Sequence, residues 1–134
     1  MKTNLLRTSI AAVLAAAAAF AQISTPVQAN VPFDFIVAGQ TMHAGPYTVK
    51  QATPAVLIVK AADGKANAAV MGVGMHSLFS QEGCRLVFHR YGNTYFLSEI
   101  WSSGSDGQKL PETRREREMA ARVTPPNTVI VAMR

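Results

Sequence analysis

The stretch that decides the fold is R-L-V-F-H-R-Y-G-N-T-Y-F-L-S-E-I-W, residues 85–101. Two runs rich in β-branched and aromatic residues flank Gly92-Asn93, and a two-residue connection that begins with glycine is typical of a β-hairpin turn. This turn sets four cross-strand pairs: Phe88 with Leu97, Arg90 with Tyr95, His89 with Phe96, and Val87 with Ser98. Large apolar side chains therefore lie on both faces, so we expect the hairpin to be central in a sheet and covered on both sides.

Shorter strand patterns continue outward from this hairpin. Residues 30–37 alternate apolar and polar side chains with a period of two, which is typical of a half-buried strand. Residues 47–51 and 55–60 form two further strand patterns, and the second is apolar enough to be buried on both faces. Residues 66–75 are apolar but contain two glycines, which favours a strand with a bulge or a sharp bend. Residues 128–133 form a last strand, whereas residues 102–108 are polar and predict a loop.

One helix is predicted, and it lies just before the last strand. The sequence Thr113-Arg114-Arg115-Glu116 fits a capping box, in which Thr113 accepts from the third helical amide and Glu116 reaches back. The helix would run from Arg114 to about Val123 and end before Thr124-Pro125-Pro126. Six to seven short strands with this one helix predict an all-β fold, a small antiparallel sandwich or barrel.

Residues 1–29 have the layout of a secretory signal peptide. Lys2 and Arg7 form a positive start, residues 10–20 are an unbroken apolar run, and Val27-Gln28-Ala29 supplies a processing site. The apolar run is too short to span a bilayer, which takes about 20 apolar residues. We expect cleavage after Ala29, with cleavage after Ala21 as the alternative. Residues 30–134 would then form a single exported domain, periplasmic or extracellular, without a transmembrane segment.

Net charge bears on the kind of partner to expect, and cysteine content bears on disulfide bonding. Lys2 and Arg7 account for two of the formal +5 charge, so the exported part carries +3 and gives no reason to expect a nucleic-acid partner. Cys84 is the one cysteine, so an intramolecular disulfide is excluded. We expect its thiol to be buried or to pair between chains.

Three segments resemble a family of small, uncharacterised exported bacterial proteins. They are N-V-P-F-D-F-I-V-A-G-Q-T-M-H-A-G-P-Y-T-V (residues 30–49), the hairpin, and L-P-E-T-R-R-E-R-E-M-A (residues 110–120). The resemblance implies export and a compact β-domain, and it brings no catalytic residues. The family pattern is closer to Leu-Pro at Met42-His43, so the resemblance does not imply a family-wide role for His43.

Two Met-His pairs suggest a metal site. Met42-His43 and Met75-His76 each place a thioether beside an imidazole, and soft sulfur with imidazole suits copper. Neighbouring residues of a strand point to opposite faces, so such a pair chelates one ion only in a loop, and both pairs lie at predicted breaks. Periplasmic copper or zinc binding by His43, Met75 and His76 is therefore an alternative function. The competing interpretation is that the methionines fill the core and the histidines face solvent.

The hairpin also carries a candidate ligand-binding surface. Arg90 is expected over the ring of Tyr95 as a cation–π pair, and Trp101, at a strand end beside a polar loop, is the ring expected to be exposed. Such rings suit a carbohydrate or another protein of the cell envelope. Core packing of the same rings is the competing interpretation.

No arrangement of residues points to catalysis. A nucleophile needs an adjacent histidine, yet Cys84 and His89 fall on opposite faces of a strand, and the sequence contains no G-x-S-x-G elbow. Arginines of the predicted helix are interleaved with glutamates, as on a solvated helix face. We therefore expect a non-enzymatic exported domain, without a cofactor, that binds a partner or contributes to the cell envelope.

Overall fold

The computed structural model describes residues 25–79, 83–122 and 125–134, so the apolar run of the predicted leader lies outside the described residues. The described residues form eleven strands and one helix. The strands are β1 (Val27–Val31), β2 (Phe35–Val37), β3 (Gln40–Met42), β4 (Gly45–Thr53), β5 (Val56–Ala61), β6 (Asn67–Met71), β7 (Val73–His76), β8 (Arg85–Tyr91), β9 (Thr94–Trp101), β10 (Asp106–Lys109) and β11 (Asn127–Ala132). Helix α1 (Arg114–Arg122) precedes the last strand. The predicted all-β class and the position of the helix are confirmed.

Two sheets form a sandwich rather than a closed barrel. The first sheet has the order β1-β4-β5-β6, and the second has the order β11-β8-β9-β10-β7. The chain crosses from the first sheet to the second at Gly72, between β6 and β7. The short hairpin β2–β3 joins the second sheet through a parallel bridge between Ile36 and Phe96. Strands β2 and β10 therefore share one edge of β9.

Alternating side chains fill the space between the sheets. Val49, Val59 and Val70 come from the first sheet, and Leu86 and Phe88 come from the second. Burying one such side chain stabilises the fold by about 1.5–3 kcal/mol. A smaller cluster lies on the outer face of the second sheet, where Ile36, Tyr91 and Phe96 pack beneath Met119 and Ala120 of α1. The hairpin is thus covered on both faces, as predicted.

The hairpin register agrees with the prediction up to a bulge. The pairs Phe88–Leu97, His89–Phe96 and Arg90–Tyr95 are all present, and Gly92 has a positive φ of 61° in the turn. The predicted Val87–Ser98 pair is wrong, because Val87 lies opposite Glu99. Ser98 is the extra residue of the bulge, and an extra residue shifts every later side chain to the other face.

The strand count exceeds the six to seven predicted. Strand β10 lies largely within residues 102–108, where the sequence predicts a loop, and it pairs with both β9 and β7. The predicted strand at residues 30–37 is broken after Val31, and its second part forms β2. Strand β1 extends upstream to Val27, so it runs across the predicted domain boundary at Asn30.

One side of the sandwich is joined by backbone hydrogen bonds. The amide of Gln28 donates to the Arg134 carbonyl at 2.8 Å, the Arg134 amide donates back to Gln28 at 2.8 Å, and Ala29 bridges Met133. We call this junction of β1 with the end of the chain the seam. On the opposite side, β6 and β7 are the outermost strands of their sheets.

Candidate functional site

Trp101 is buried rather than exposed. Only 8% of its surface is accessible, and the Arg85 guanidinium lies over the ring, 4.4 Å from its centroid. The indole N–H donates to Glu99 at 2.8 Å. The adjacent Gly107 of β10 makes room for the ring, since a Cβ at that position would lie 2.6 Å from it. The expectation of an exposed ring is therefore wrong.

Arg90 and Tyr95 do form the predicted pair. The Arg90 guanidinium lies 5.5 Å from the centroid of the Tyr95 ring, and its Nε donates to the Gly92 carbonyl at 2.7 Å. Tyr95 also stacks on Phe33, with the ring centroids 3.9 Å apart. This stack packs against the core beside the turn, whereas Trp101 lies at the far end of β9 on the opposite face. The three predicted ligand-binding residues therefore do not form one surface.

The two histidines of the predicted metal site have different partners. His43 lies 3.7 Å from Asp34, whereas His76 lies 2.8 Å from Asp106. The hydrogen bond from His76 lowers the pKa of the Asp106 carboxyl. Within residues 25–79, 83–122 and 125–134, no three His, Cys, Asp or Glu side chains are grouped to hold a metal ion. Copper or zinc binding stays a prediction.

Cys84 is partly buried. Its thiol donates to the Ser102 carbonyl at 3.0 Å, which links the start of β8 to the segment after β9. This contact gives the thiol a structural partner within the chain.

A cleft that the sequence did not predict lies beside β6 and β7. We call it the β6 cleft. It encloses about 700 Å³, and its lining residues are Met71, Gly72, Val73, Met75, Lys109, Leu110, Pro111, Glu112 and Arg117. A smaller cavity of about 100 Å³, lined partly by Ile36 and Phe96, shares Met71, Leu110 and Pro111 with it. Pockets that hold small molecules usually measure about 300–1,000 Å³, so the open cleft has the size of a ligand site and the small cavity does not.

Apolar side chains are exposed along this cleft. The accessible fractions are 68% for Met71 and 72% for Val73, although both residues belong to strands. Met75 is partly buried beside them. Methionine is unbranched and adapts to different partners, so it is frequent on binding surfaces. The cleft thus presents an adaptable apolar wall.

The backbone edge of β6 is unpaired among the described strands, and its last residue, Met71, lines the cleft. Among the described strands, β6 pairs only with β5. One further backbone hydrogen bond continues this pairing at each end: the Ala61 amide donates to the Ala66 carbonyl, and the Gly72 amide donates to the Ala55 carbonyl, both at 2.9 Å. Backbone groups of a strand alternate in direction. Ala68 and Val70 therefore bond towards β5, whereas the N–H and C=O groups of Asn67, Ala69 and Met71 point outward.

The sequence of this edge lacks two of the usual protections, a charged residue and a proline. Native proteins protect the edge of a sheet with a charged residue, a proline, a bulge or a covering element, because the free backbone groups of an open edge can pair with another chain. The β6 sequence, N-A-A-V-M, contains neither a charged residue nor a proline. An unpaired, uncharged edge beside a partly apolar cleft is suited to pairing with an additional strand.

Glu116 lines the smaller cavity rather than the β6 cleft. Its carboxylate is 4% exposed, lies 3.2 Å from His89 Nδ1 and accepts from the Tyr91 hydroxyl at 3.4 Å. Burial raises the pKa of the Glu116 carboxyl, and His89 partly offsets that effect. The Glu116 amide donates to the Thr113 hydroxyl at 3.3 Å, as the capping box predicts. The carboxylate, however, bonds to β8 residues and thereby fastens α1 over the second sheet.

Sequence signals for these features exist but are weak. Glu116 lies three and four residues before Met119 and Ala120, which is the spacing of one helix face and could have marked it as buried. The uncharged run N-A-A-V-M is compatible with a buried strand as well as with an open edge. Only the arrangement of strands decides between the two.

No described helix is long and apolar enough to cross a membrane. Comparison with protein-family models, with curated proteins and with solved structures found no match for this chain.

Proposed function

We propose that this protein is a non-enzymatic binding domain that takes an extended, apolar segment of another protein into the β6 cleft. The observation that carries the proposal is the open, uncharged edge of β6 beside the exposed side chains of Met71 and Val73. Since the leader predicts export, the partner would be a protein of the cell envelope.

Strand addition explains how the segment would be held. A peptide running along β6 would exchange backbone hydrogen bonds with Asn67, Ala69 and Met71, and alternate side chains would enter the cleft. Each backbone hydrogen bond contributes about 0.5–1.5 kcal/mol net. Full burial of the Met71 or Val73 side chain would add about 1.5–3 kcal/mol. Backbone pairing would supply affinity, and the apolar wall would select the side chains.

The site chemistry favours a peptide over a carbohydrate. Sugar rings stack on exposed aromatic faces, and among the lining residues of the β6 cleft there is no aromatic side chain. Trp101, which the sequence offered for that role, is buried under Arg85. The exposed strand side chains beside β6, Met71 and Val73, are apolar and match Val, Leu or Ile side chains of a peptide, while Lys109, Glu112 and Arg117 add charge to the same cleft.

The test uses eight-residue peptides displayed on phage and selected for binding to the purified protein. The best peptide is synthesised with a fluorophore, and its Kd is measured by anisotropy. The Ala69→Pro variant removes one outward N–H and leaves the β5 ladder intact, since proline is tolerated on edge strands. We expect the Kd to rise at least about tenfold, which corresponds to about 1.4 kcal/mol.

A matched variant makes the same change on another outer strand. In β11 the Met133 amide donates to the Cys84 carbonyl, so by alternation the Thr128 amide points away from β8. Thr128→Pro should leave the Kd unchanged. Methylation of alternate peptide nitrogens should abolish binding. Failure to enrich any peptide, or equal affinity for wild type and Ala69→Pro, would disprove strand addition at β6.

A further inference from the structure

Strand β1 lies across the processing site that the sequence favours. Val27, Gln28 and Ala29 pair with Val49, Thr48 and Tyr47 of β4, in a register that continues to Val31. Ala29 is buried among the core residues, and Val27 packs against them. These residues are structural parts of the sandwich rather than a segment that precedes it.

Cleavage after Ala29 would remove the seam. The two reciprocal backbone bonds between Gln28 and Arg134 and the bridge between Ala29 and Met133 would all be lost. Only Asn30 and Val31 of β1 would remain on β4. A new ammonium group on Asn30 would also lie beside the opened core, where the buried side chain of Ala29 has left a gap.

The upstream site avoids these losses. Ala19-Phe20-Ala21 places small residues at the first and third positions before Gln22, directly at the end of the apolar run. This is the A-x-A pattern that signal peptidases cleave. Thr25 and Pro26 are exposed and precede the first strand, so the chain reaches the surface before residue 27. A cut after Ala21 would leave β1 and the seam complete.

We propose that the leader is removed after Ala21 and that the exported chain begins at Gln22. In this step a signal peptidase adds water across the Ala21–Gln22 peptide bond, so that Ala21 leaves with a carboxylate and Gln22 gains a free amino group. The inference rests on the predicted export and is independent of the proposed binding function.

The test expresses the complete chain, with its own leader, in a bacterial host and determines the intact mass of the product released from the periplasm. We expect the mass of residues 22–134, or that mass less ammonia where Gln22 has cyclised. A product with the mass of residues 30–134, or of the uncleaved chain, would overturn the proposal.

Two variants distinguish cleavage after Ala21 from cleavage after Ala29. Ala21→Arg places a large charge where the peptidase needs a small residue, so the precursor should accumulate and the product of residues 22–134 should disappear. Ala29→Val makes the downstream site unsuitable while keeping a residue that favours strands. It should leave processing unchanged. The reverse pattern, with normal processing of Ala21→Arg and a blocked Ala29→Val, would overturn the proposal.

Discussion

At the scale of single residues, a glycine on one strand makes room for an aromatic ring on the neighbouring strand. Gly107 of β10 lies opposite Trp101 of β9, and the indole occupies the space that a Cβ would fill. Arg85 covers the other face of the ring. The sequence places Trp101 at a strand end beside a polar loop, and this position alone suggested exposure. Burial follows from the neighbouring glycine, which only the pairing of β9 with β10 brings to the ring.

Substituting Gly107 should therefore be costly. In Gly107→Ala the new methyl group would lie 2.6 Å from the Trp101 ring and 3.1 Å from the Ile100 carbonyl oxygen. Overpacking of this kind typically costs about 1–3 kcal/mol. We expect urea unfolding, followed by tryptophan fluorescence, to show a loss of that size in the free energy of unfolding. Gly74→Ala is the matched control, since no atom lies within 4 Å of its Cβ. Equal stability of the two variants would contradict this account.

We expect Glu116 to make the stability of the fold depend on pH. Burial raises the pKa of its carboxyl, so the folded protein binds this proton more tightly than the unfolded chain does. The contribution of a group with a raised pKa is full below its unfolded pKa and is lost as the pH rises through its folded pKa. The ordinary pKa of glutamate is about 4.3, which sets the lower bound of the window.

Glu116→Gln should remove this dependence. As the pH rises above about 4, the wild type should lose stability relative to Glu116→Gln, because only the wild type has to ionise a buried carboxyl. Urea unfolding at a series of pH values measures the difference. Glu118→Gln makes the same substitution at an exposed position of α1 and serves as the control. A difference between wild type and Glu116→Gln that is constant with pH, or that grows in favour of the wild type, would refute the assignment.

At the scale of elements, the local sequence predicts those features that depend only on residues close together in the chain. The β8–β9 hairpin, its turn at Gly92 and most of its register follow from alternation and turn chemistry. The bulge at Ser98 does not, because neither alternation nor turn chemistry marks an extra residue there. Strand β10 is polar and lies in a segment rich in serine and glycine, so alternation is absent there. The cleft depends on which strand is left outermost, and local sequence does not contain that information.

The start of α1 is predicted by sequence and can be tested directly. The Thr113 hydroxyl accepts from the Glu116 amide, and loss of such a cap typically costs about 1 kcal/mol. We expect Thr113→Ala to lower the free energy of unfolding by that amount in urea titrations followed by far-UV circular dichroism. Thr113→Ser retains a hydroxyl and should stay close to wild type. A Thr113→Ala protein as stable as Thr113→Ser would show that the cap is not formed.

At the scale of the whole molecule, the two lateral sides of the sandwich differ. On one side, the seam joins β1 to the end of the chain through Gln28 and Arg134. On the other, β6 ends its sheet with the outward amides of Ala69 and Met71 unpaired among the described residues. The closed side is the basis of the proposal that processing after Ala21 leaves β1 in the exported chain. The open side provides the edge on which the proposed binding function depends.

Amide hydrogen exchange, followed by NMR on the purified protein, tests this asymmetry most directly. We predict slow exchange at Gln28 and Arg134, slow exchange at Val70, which bonds to β5, and fast exchange at its neighbours Ala69 and Met71. Fast exchange at Gln28 and Arg134 would show that the seam is not formed. Slow exchange at Ala69 and Met71 in the unbound monomer would show that the β6 edge is already paired, and the account of a sandwich with one open edge would then be wrong.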